Sequence, residues 1–416
     1  MVLILYTTLY KLGGREMELA AIHMAKQKSG AKAVRIESKA EFIAAIQGVE
    51  EPIDELHFIG HSGLYGPMFG TTRRPDQMSR SDWNELNIRF APGAQAFFHC
   101  CRGARWFAPY FAHRYGVPTY GHASYTTFSH SPDVYVKVQE GREDVYVVSV
   151  PGYKSRGLFG YARKRLGKAP TVPLTRFEQI PDEDGSYDGV AELYDQVFID
   201  FRVRHDEWIW LSKHLQRDGA VVDIGCGNGA LLLALATLIK RGLGIDVSKR
   251  MIQIASHRAR GEENLSFSEY DGLQIPAETG SVDVVVSMLS WRYLDWDPIV
   301  AEIKRVLRPG GQLLIVDMVV APFKPKLLPR MLLDKSRHFV GGLSAPAFRK
   351  ALKRLVEDPA WATMLSHNPM RAEHEMRNYL PSRFPGIVVE TLNRTPRTEM
   401  IAFRWTPGST GDRTGG

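Results

Sequence analysis

Apolar residues recur along this chain as short buried-strand runs that alternate with helical stripes. Residues 2–7 (VLILYT) form the first run, and a helical stretch over about 14–28 follows it. Residues 32–36 alternate as a strand. Ser38, with Glu41 three residues later, predicts a capped helix start. Residues 54–60 and 94–99 are again strand-like, and each ends at a polar cluster containing glycine. Residues 107–114 read as the helix that follows and 117–120 as a further short strand. This alternation predicts an α/β domain with a mostly parallel sheet over residues 1–150.

The pattern breaks between 151 and 185. Pro151, Gly152, Pro170, Pro173, Pro181 and the acidic DEDG at 182–185 mark a linker, and the basic run at 154–168 reads as a solvated helix within it. A second domain is expected over 186–406. Its first helical region carries Val190, Leu193, Tyr194 and Val197 on one face, and a helix at about 205–217 leads into a strand at 220–224. Further strands are predicted at 241–245, 265–269, 282–287 and 312–316, with helices between them that include 231–239 and 298–307. An insertion over about 321–386 contains an amphipathic helix at 346–357, and a disordered tail is expected over 407–416.

Composition narrows the class. A chain of 416 residues with 44% hydrophobic and 24% charged residues is a globular protein of more than one domain. No run approaches the roughly 20 apolar residues that span a bilayer. The apolar start lacks a basic leader and a cleavage site, so it reads as a first strand. Three cysteines give no disulfide framework, and free thiols fit a cytoplasmic protein. The net charge of +7 is spread along the chain rather than concentrated, and there is no N/D-P-P-Y/F motif. Nucleic acid and membrane are therefore not expected partners, and no metal is expected.

The chemistry begins at residues 221–229, VVDIGCGNG. A buried strand ends there in a turn whose glycines, Gly225, Gly227 and Gly229, let the backbone approach a ligand with no Cβ in the way. Asp246 ends the next strand 21 residues after Gly225, where a carboxylate can accept both hydroxyl protons of a ribose. Asp271 follows the third strand, placed for an adenine amino group.

In the order and spacing of VVDIGCGNG, GIDVS at 244–248, YDGLQIP at 270–276, SVDVVVS at 281–287 and RVLRPGGQLLIVD at 305–317, the chain resembles the class I methyltransferases, especially their small-molecule branch. The resemblance implies a Rossmann-like sheet of seven strands, the last two near 387–392 and 400–405, with S-adenosyl-L-methionine as cofactor. It places Gly225, Gly227 and Gly229 at the amino-acid end of the cofactor, Asp246 at the ribose and Asp271 at the adenine. Asp223, Val247, Gly272, Ser287 and Met288 join them as cofactor-binding candidates. Relatives often carry a histidine after the fourth strand, where this chain has Ser290-Trp291-Arg292-Tyr293. Aromatics are therefore expected to line the acceptor pocket, with Tyr187, Tyr194, Trp291 and Tyr293 as candidates. His338, His367 and His374 lie in the insertion, which covers the substrate in relatives. His338 and His374 are carried forward as candidate bases, since a histidine titrates near neutrality.

In the first domain, His61 and Cys101 follow the ends of two neighbouring strands, where they can face one crevice as base and thiolate nucleophile. GHSGLYGPMFG at 60–70, HCCRG at 99–103 and GVPTYG at 116–121 resemble the caspase-like cysteine peptidases, with Cys101 at the nucleophile and His61 at the base. Ser62 replaces the glycine expected after the histidine, and His99 occupies the glutamine position. The expectation is a catalytically silent, structural or dimerising domain. A Ser62 hydrolase is disfavoured, because Leu64 departs from the G-x-S-x-G elbow. The sequence thus reads as a methyltransferase for an oxygen or nitrogen of a small molecule. The alternative is a bifunctional chain whose Cys/His domain binds or cleaves a peptide that the second domain methylates.

Overall fold

The computed structural model describes residues 1–9, 13–150, 169–178, 187–321, 346–367, 370–395 and 398–407. The chain divides into two units, Met1–Asp182 and Glu183–Gly416. The basic run at 154–168, His338 and the tail beyond 407 lie outside the described residues.

In the first unit, strand and helix alternate as β1 (Val2–Tyr6), α1 (Gly14–Gln27), β2 (Lys32–Arg35), α2 (Lys39–Gln47) and β3 (Ile53–Ile59). Ser38 Oγ caps α2 by accepting from Glu41 N at 3.2 Å, while the Glu41 carboxylate accepts from Glu37 N instead of completing a reciprocal pair. A small antiparallel sheet of β4 (His61–Gly63), β5 (Gly66–Gly70) and β6 (Pro75–Gln77) follows. Then come α3 (Arg80–Glu85), β7 (Phe90–His99), α4 (Phe107–Tyr115) and β8 (Thr119–Gly121). β9 (Thr126–Ser129) pairs antiparallel with β10 (Tyr146–Ser149), and β11 (Thr175–Phe177) closes the unit.

The main sheet runs β2-β1-β3-β7-β8-β11, parallel throughout except for β11 at the edge. Part of the expected linker therefore belongs to this sheet. Thr175–Phe177 pairs along β8, and Val172 N–H bonds Ser149 O at 2.8 Å. The pleat sorts side chains between the two faces. Leu56, Phe58, Ala96 and Phe98 join Phe42, Trp83 and Phe111 in the main core. The other face carries Glu55, His57, Phe97 and His99, in register with Ile4 and its α1 partners Met17 and Ala20.

The second unit begins with α5 (Ala191–Val197) and α6 (His205–His214). A βα series follows: β12 (Ala220–Ile224), α7 (Ala230–Leu235), β13 (Arg241–Asp246), α8 (Lys249–Arg258), β14 (Leu265–Glu269), β15 (Val282–Met288), α9 (Trp296–Val306) and β16 (Leu307–Val320). The helix expected over 231–239 stops early and tightens into a 3-10 turn at Ala236–Leu238. Helices α10 (Pro346–Glu357), α11 (Pro359–His367) and α12 (Glu373–Arg383) precede the terminal pair β17 (Val388–Arg394) and β18 (Thr398–Trp405).

These strands form one seven-stranded sheet, β14-β13-β12-β15-β16-β18-β17, with β18 antiparallel to both neighbours. Its central strands are apolar on both faces because helices cover both. Val222 and Ile224 face Trp291, Ile299 and Tyr379, whereas Val221 faces Trp210, Leu211 and Leu231. The parallel strands all end on one edge, and the site is built there.

Candidate cofactor site and tyrosine cluster

Beyond Ile224 the chain turns through Gly225, Gly227 and Gly229, with φ of +73°, +53° and +74°. Only glycine adopts these angles without strain, but the three positions answer different needs. A Cβ on Gly225 would lie 2.3 Å from Ser290 Cβ, and one on Gly229 would lie 2.9 Å from Ala255 Cβ. Those two glycines let neighbouring elements close. A Cβ on Gly227 would meet only the Tyr194 ring, at 3.9 Å, so this glycine keeps open space beneath the tyrosine. Asn228 pins the turn from outside, donating to Asp195 at 2.8 Å and to Phe198 O at 2.9 Å.

Carboxylates gather around this opening. Asp246 is partly buried at the end of β13; its Oδ2 accepts from Gly227 N and its Oδ1 from Ser248 N, each at 2.9 Å. Burial raises its carboxyl above the usual range even so. Asp223 is fully enclosed, and its Oδ1 has no hydrogen-bond partner. Burial, and next the charge of Asp246, push it up to about 8. Among the described residues neither carboxylate is held in an ion pair.

The rim is apolar. Val247 is 70% exposed and Leu273 52%. Asp271 Oδ1 accepts from Leu273 N at 2.8 Å and Gln274 N at 3.0 Å, which fixes the turn through Gly272 at φ +85°. Those two N–H groups hold the exposed Asp271 carboxyl below its usual range. Leu273 escaped the sequence reading because an exposed aliphatic residue carries no periodic signal.

Three of the four aromatics chosen for the acceptor pocket come together. Tyr187 OH and Tyr293 OH lie 3.1 Å apart, and Tyr187 meets Tyr194 edge-on at 5.7 Å between centroids. Trp361, which the sequence reading did not select, meets Tyr187 at 6.3 Å. Arg292 lies 4.9 Å over the Tyr293 ring and is itself buried in an ion pair with Asp317 at 3.1 Å. Burial and the neighbouring phenols raise the Tyr187 hydroxyl well above its ordinary value, so it remains protonated.

Two expectations are corrected. Trp291 does not line the pocket: it is fully buried in the core against Ile224 and Ile299, on the inner side of its turn. Ser287 is also fully buried. Its hydroxyl lies 2.8 Å from that of Ser290, which donates to Ile224 O at 2.6 Å, so it braces the glycine turn from within. Met288, at the end of β15, is 9% exposed and packs in the core with Val221 and Leu231. His374 is partly buried in the first turn of α12.

In the first unit, His61 and Cys101 follow β3 and β7, which pair at Ile59 and His99. Both are partly buried. Ser62 Oγ donates to Cys101 O at 2.6 Å. The Cys101 thiol lies 3.2 Å from Thr126 Oγ1 and accepts from Thr126 N at 3.4 Å.

A family model described as a methyltransferase domain matches residues 222–315, which run from β12 into β16. The putative methyltransferase YqeM of Bacillus subtilis is 31% identical over 134 residues, covering 31% of this chain and 53% of the relative. A demethylmenaquinone methyltransferase of Tropheryma whipplei is 30% identical over 183 residues, covering 41% of this chain and 74% of the relative. A SAM-dependent methyltransferase structure from Aquifex aeolicus aligns at 17% identity with a TM-score of 0.35, covering 54% of this chain and all of that one. The chain spans about half the length of the first curated relatives it matches, 53% and 56%. With three quarters of the Tropheryma protein matched at 30% identity, the chain belongs to the S-adenosylmethionine-dependent methyltransferase family.

Proposed function

We propose that the second unit transfers the methyl group of S-adenosylmethionine to an oxygen or nitrogen of a small molecule held against Tyr187, Tyr194 and Tyr293. The observation that carries this reading is the opening at Gly227, set beneath Tyr194 and beside two under-compensated carboxylates.

The residues present fit the cofactor. Asp223, buried with an unpartnered oxygen, would face its ammonium group. Asp246 would take the ribose hydroxyls on the lone pairs that Gly227 N and Ser248 N leave free. Val247 and Leu273 offer exposed apolar surfaces for the adenine faces, and the Asp271–Gly272 turn its edge. When bound, the cofactor supplies a methyl group already made electrophilic by a sulfonium centre.

The chain's part is to bind and align. Holding a nucleophile in line is worth much of the barrier for such a transfer. Tyr187 stays protonated, so it donates a hydrogen bond and positions an acceptor; it does not remove a proton. Arg292 is fixed by Asp317 and holds the Tyr293 ring from one side. A base is needed only where the acceptor must lose a proton, and His374 and His338 are the candidates for it. The first unit is read as structural or dimerising, in a caspase-like arrangement without peptidase action. Its Cys101 thiol is engaged by Thr126 in support of that silence. Three free thiols suit a cytoplasmic setting.

The test follows labelled methyl groups from S-adenosylmethionine into fractions of a cell extract treated with the full chain. Label in the small-molecule fraction, lost with Asp246→Ala and reduced with Tyr187→Phe, is the expected result. Label confined to protein or RNA would refute the small-molecule reading.

A further inference from the structure

The α1-facing side of the first sheet holds a row of rings that the methyl-transfer reading does not use. His57 stacks on Phe97 with centroids 4.6 Å apart and 6° between planes, and Phe97 stacks on Tyr120 at 4.6 Å and 11°. Hydrogen bonds along the row run in one direction. Glu55 pairs with Lys28, and its hydrogen bond with His57, followed by that pairing, holds its carboxyl down to about 2. An ionised Glu55 must accept, so His57 Nε2–H donates to it at 2.8 Å. Burial lowers both His57 and His99 below the usual histidine range, so each ring carries a single proton at neutral pH. His57 Nδ1 is then a lone pair, and it accepts from His99 Nε2–H at 3.1 Å. His99 Nδ1 is left as an acceptor.

His99 and His122 both line a half-open cavity of about 550 Å³, a volume typical of small-molecule sites. Met24, Val145, Val147 and Leu174 make its walls largely apolar. His122 is only 3% exposed, and neither of its ring nitrogens has a hydrogen-bond partner. Burial lowers its pKa to about 4, so it offers one N–H and one lone pair. Such unsatisfied groups cost about 1–3 kcal/mol each when enclosed, and a complementary ligand recovers that cost.

The chemistry selects the ligand class. His99 and His122 are neutral and the lining carboxylate, Asp133, disfavours an anion. His57 and His99 already bond nitrogen to nitrogen, and among the described residues no cluster of His, Cys, Asp or Glu is arranged to hold a metal. We propose that this cavity binds a neutral, planar nitrogen heterocycle of nucleobase size, its N–H meeting His99 Nδ1, a second polar edge group meeting one ring nitrogen of His122, and its faces lying against the apolar walls.

The test titrates hypoxanthine into the full chain by calorimetry, with S-adenosylhomocysteine saturating so that the β12 turn is closed to the probe. Saturable binding is expected, weakened roughly tenfold or more by His122→Leu, since one buried hydrogen bond is worth about that factor. Indene, which has the bicyclic shape without the nitrogens, should bind correspondingly weaker, and benzoate should not bind. Met24→Trp fills the cavity from a partly exposed position on α1 and should abolish binding. It keeps the test decisive if His122→Leu does not fold. No saturable heat up to millimolar hypoxanthine, equal binding by indene, binding by benzoate, or unchanged binding in Met24→Trp would each overturn the proposal.

Discussion

The two sheets both place polar residues at the carboxyl ends of parallel strands, His99 and His122 in the first and Asp223 and Asp246 in the second, and treat charge there in opposite ways. At the second sheet, buried Asp223 lies beside partly buried Asp246, no ion pair holds either among the described residues, and both carboxyls are pushed upward. At the first sheet, the partly buried carboxylate of Glu55 is matched by Lys28, and His57, His99 and His122 along the row are neutral. One edge is thus short of positive charge and, on the function proposed above, takes a cationic ligand. The other is balanced and offers only directional hydrogen bonds. A shared architecture sets where a site can be, and the local charge balance sets what it can hold.

The comparison can be broken most severely at the glycine turn. Gly225→Ala combines a left-handed φ with a clash on Ser290, and is expected to destabilise the second unit by about 2–5 kcal/mol in chemical denaturation. Gly227→Ala carries only the backbone cost, about 1–2 kcal/mol, because its Cβ enters open space. Equal losses at the two positions would remove the distinction between a packing glycine and a ligand glycine. Next in size, Asp246→Ala should weaken S-adenosylhomocysteine binding by roughly a hundredfold in calorimetry, two hydrogen bonds to a charged group being lost. Retained affinity would detach Asp246 from the site.

A smaller effect reads the charge itself. The Asp223 carboxyl titrates at about 8 when folded, against about 3.9 when unfolded, so the folded state holds the proton more tightly. Its contribution to stability is full below about pH 4 and is lost as pH rises towards about 8. Unliganded protein should therefore melt lower at pH 8 than at pH 5, by a margin that Asp223→Asn reduces. An identical pH dependence in the variant would show that the carboxyl is not strained. Smallest of all, Cys101→Ala should leave methyl transfer unchanged, with no peptide hydrolysis by the parent chain. Lost transfer, or hydrolysis that the variant abolishes, would favour the bifunctional reading.

The second sheet was largely legible because its strands are continuous apolar runs and the candidate site residues cluster at or just beyond strand ends. Asp246 follows Ile245, and Gly225 follows Ile224. Side-chain direction was not legible. Trp291 and Tyr293 stand two apart in one turn, yet one is sealed in the core and the other meets Tyr187. Ser287 was placed correctly on its strand, but the pleat turns it inward to Ser290. The histidine row could not be read at all, since it exists only through the pairing of β3 with β7, which sets residues some 40 positions apart side by side. Likewise Thr175–Phe177 is too short for a period and becomes a strand only through the free edge of β8.

Calorimetry of S-adenosylmethionine binding at pH 7, repeated in buffers of different ionisation enthalpy, addresses the charge-deficient turn most directly. The account requires saturable binding with release of about one proton per ligand, because an ammonium group favours the ionised form of a carboxyl that is mostly protonated beforehand, and no such release in Asp223→Asn. Absence of binding at millimolar ligand, or the same proton release in the variant, would contradict it.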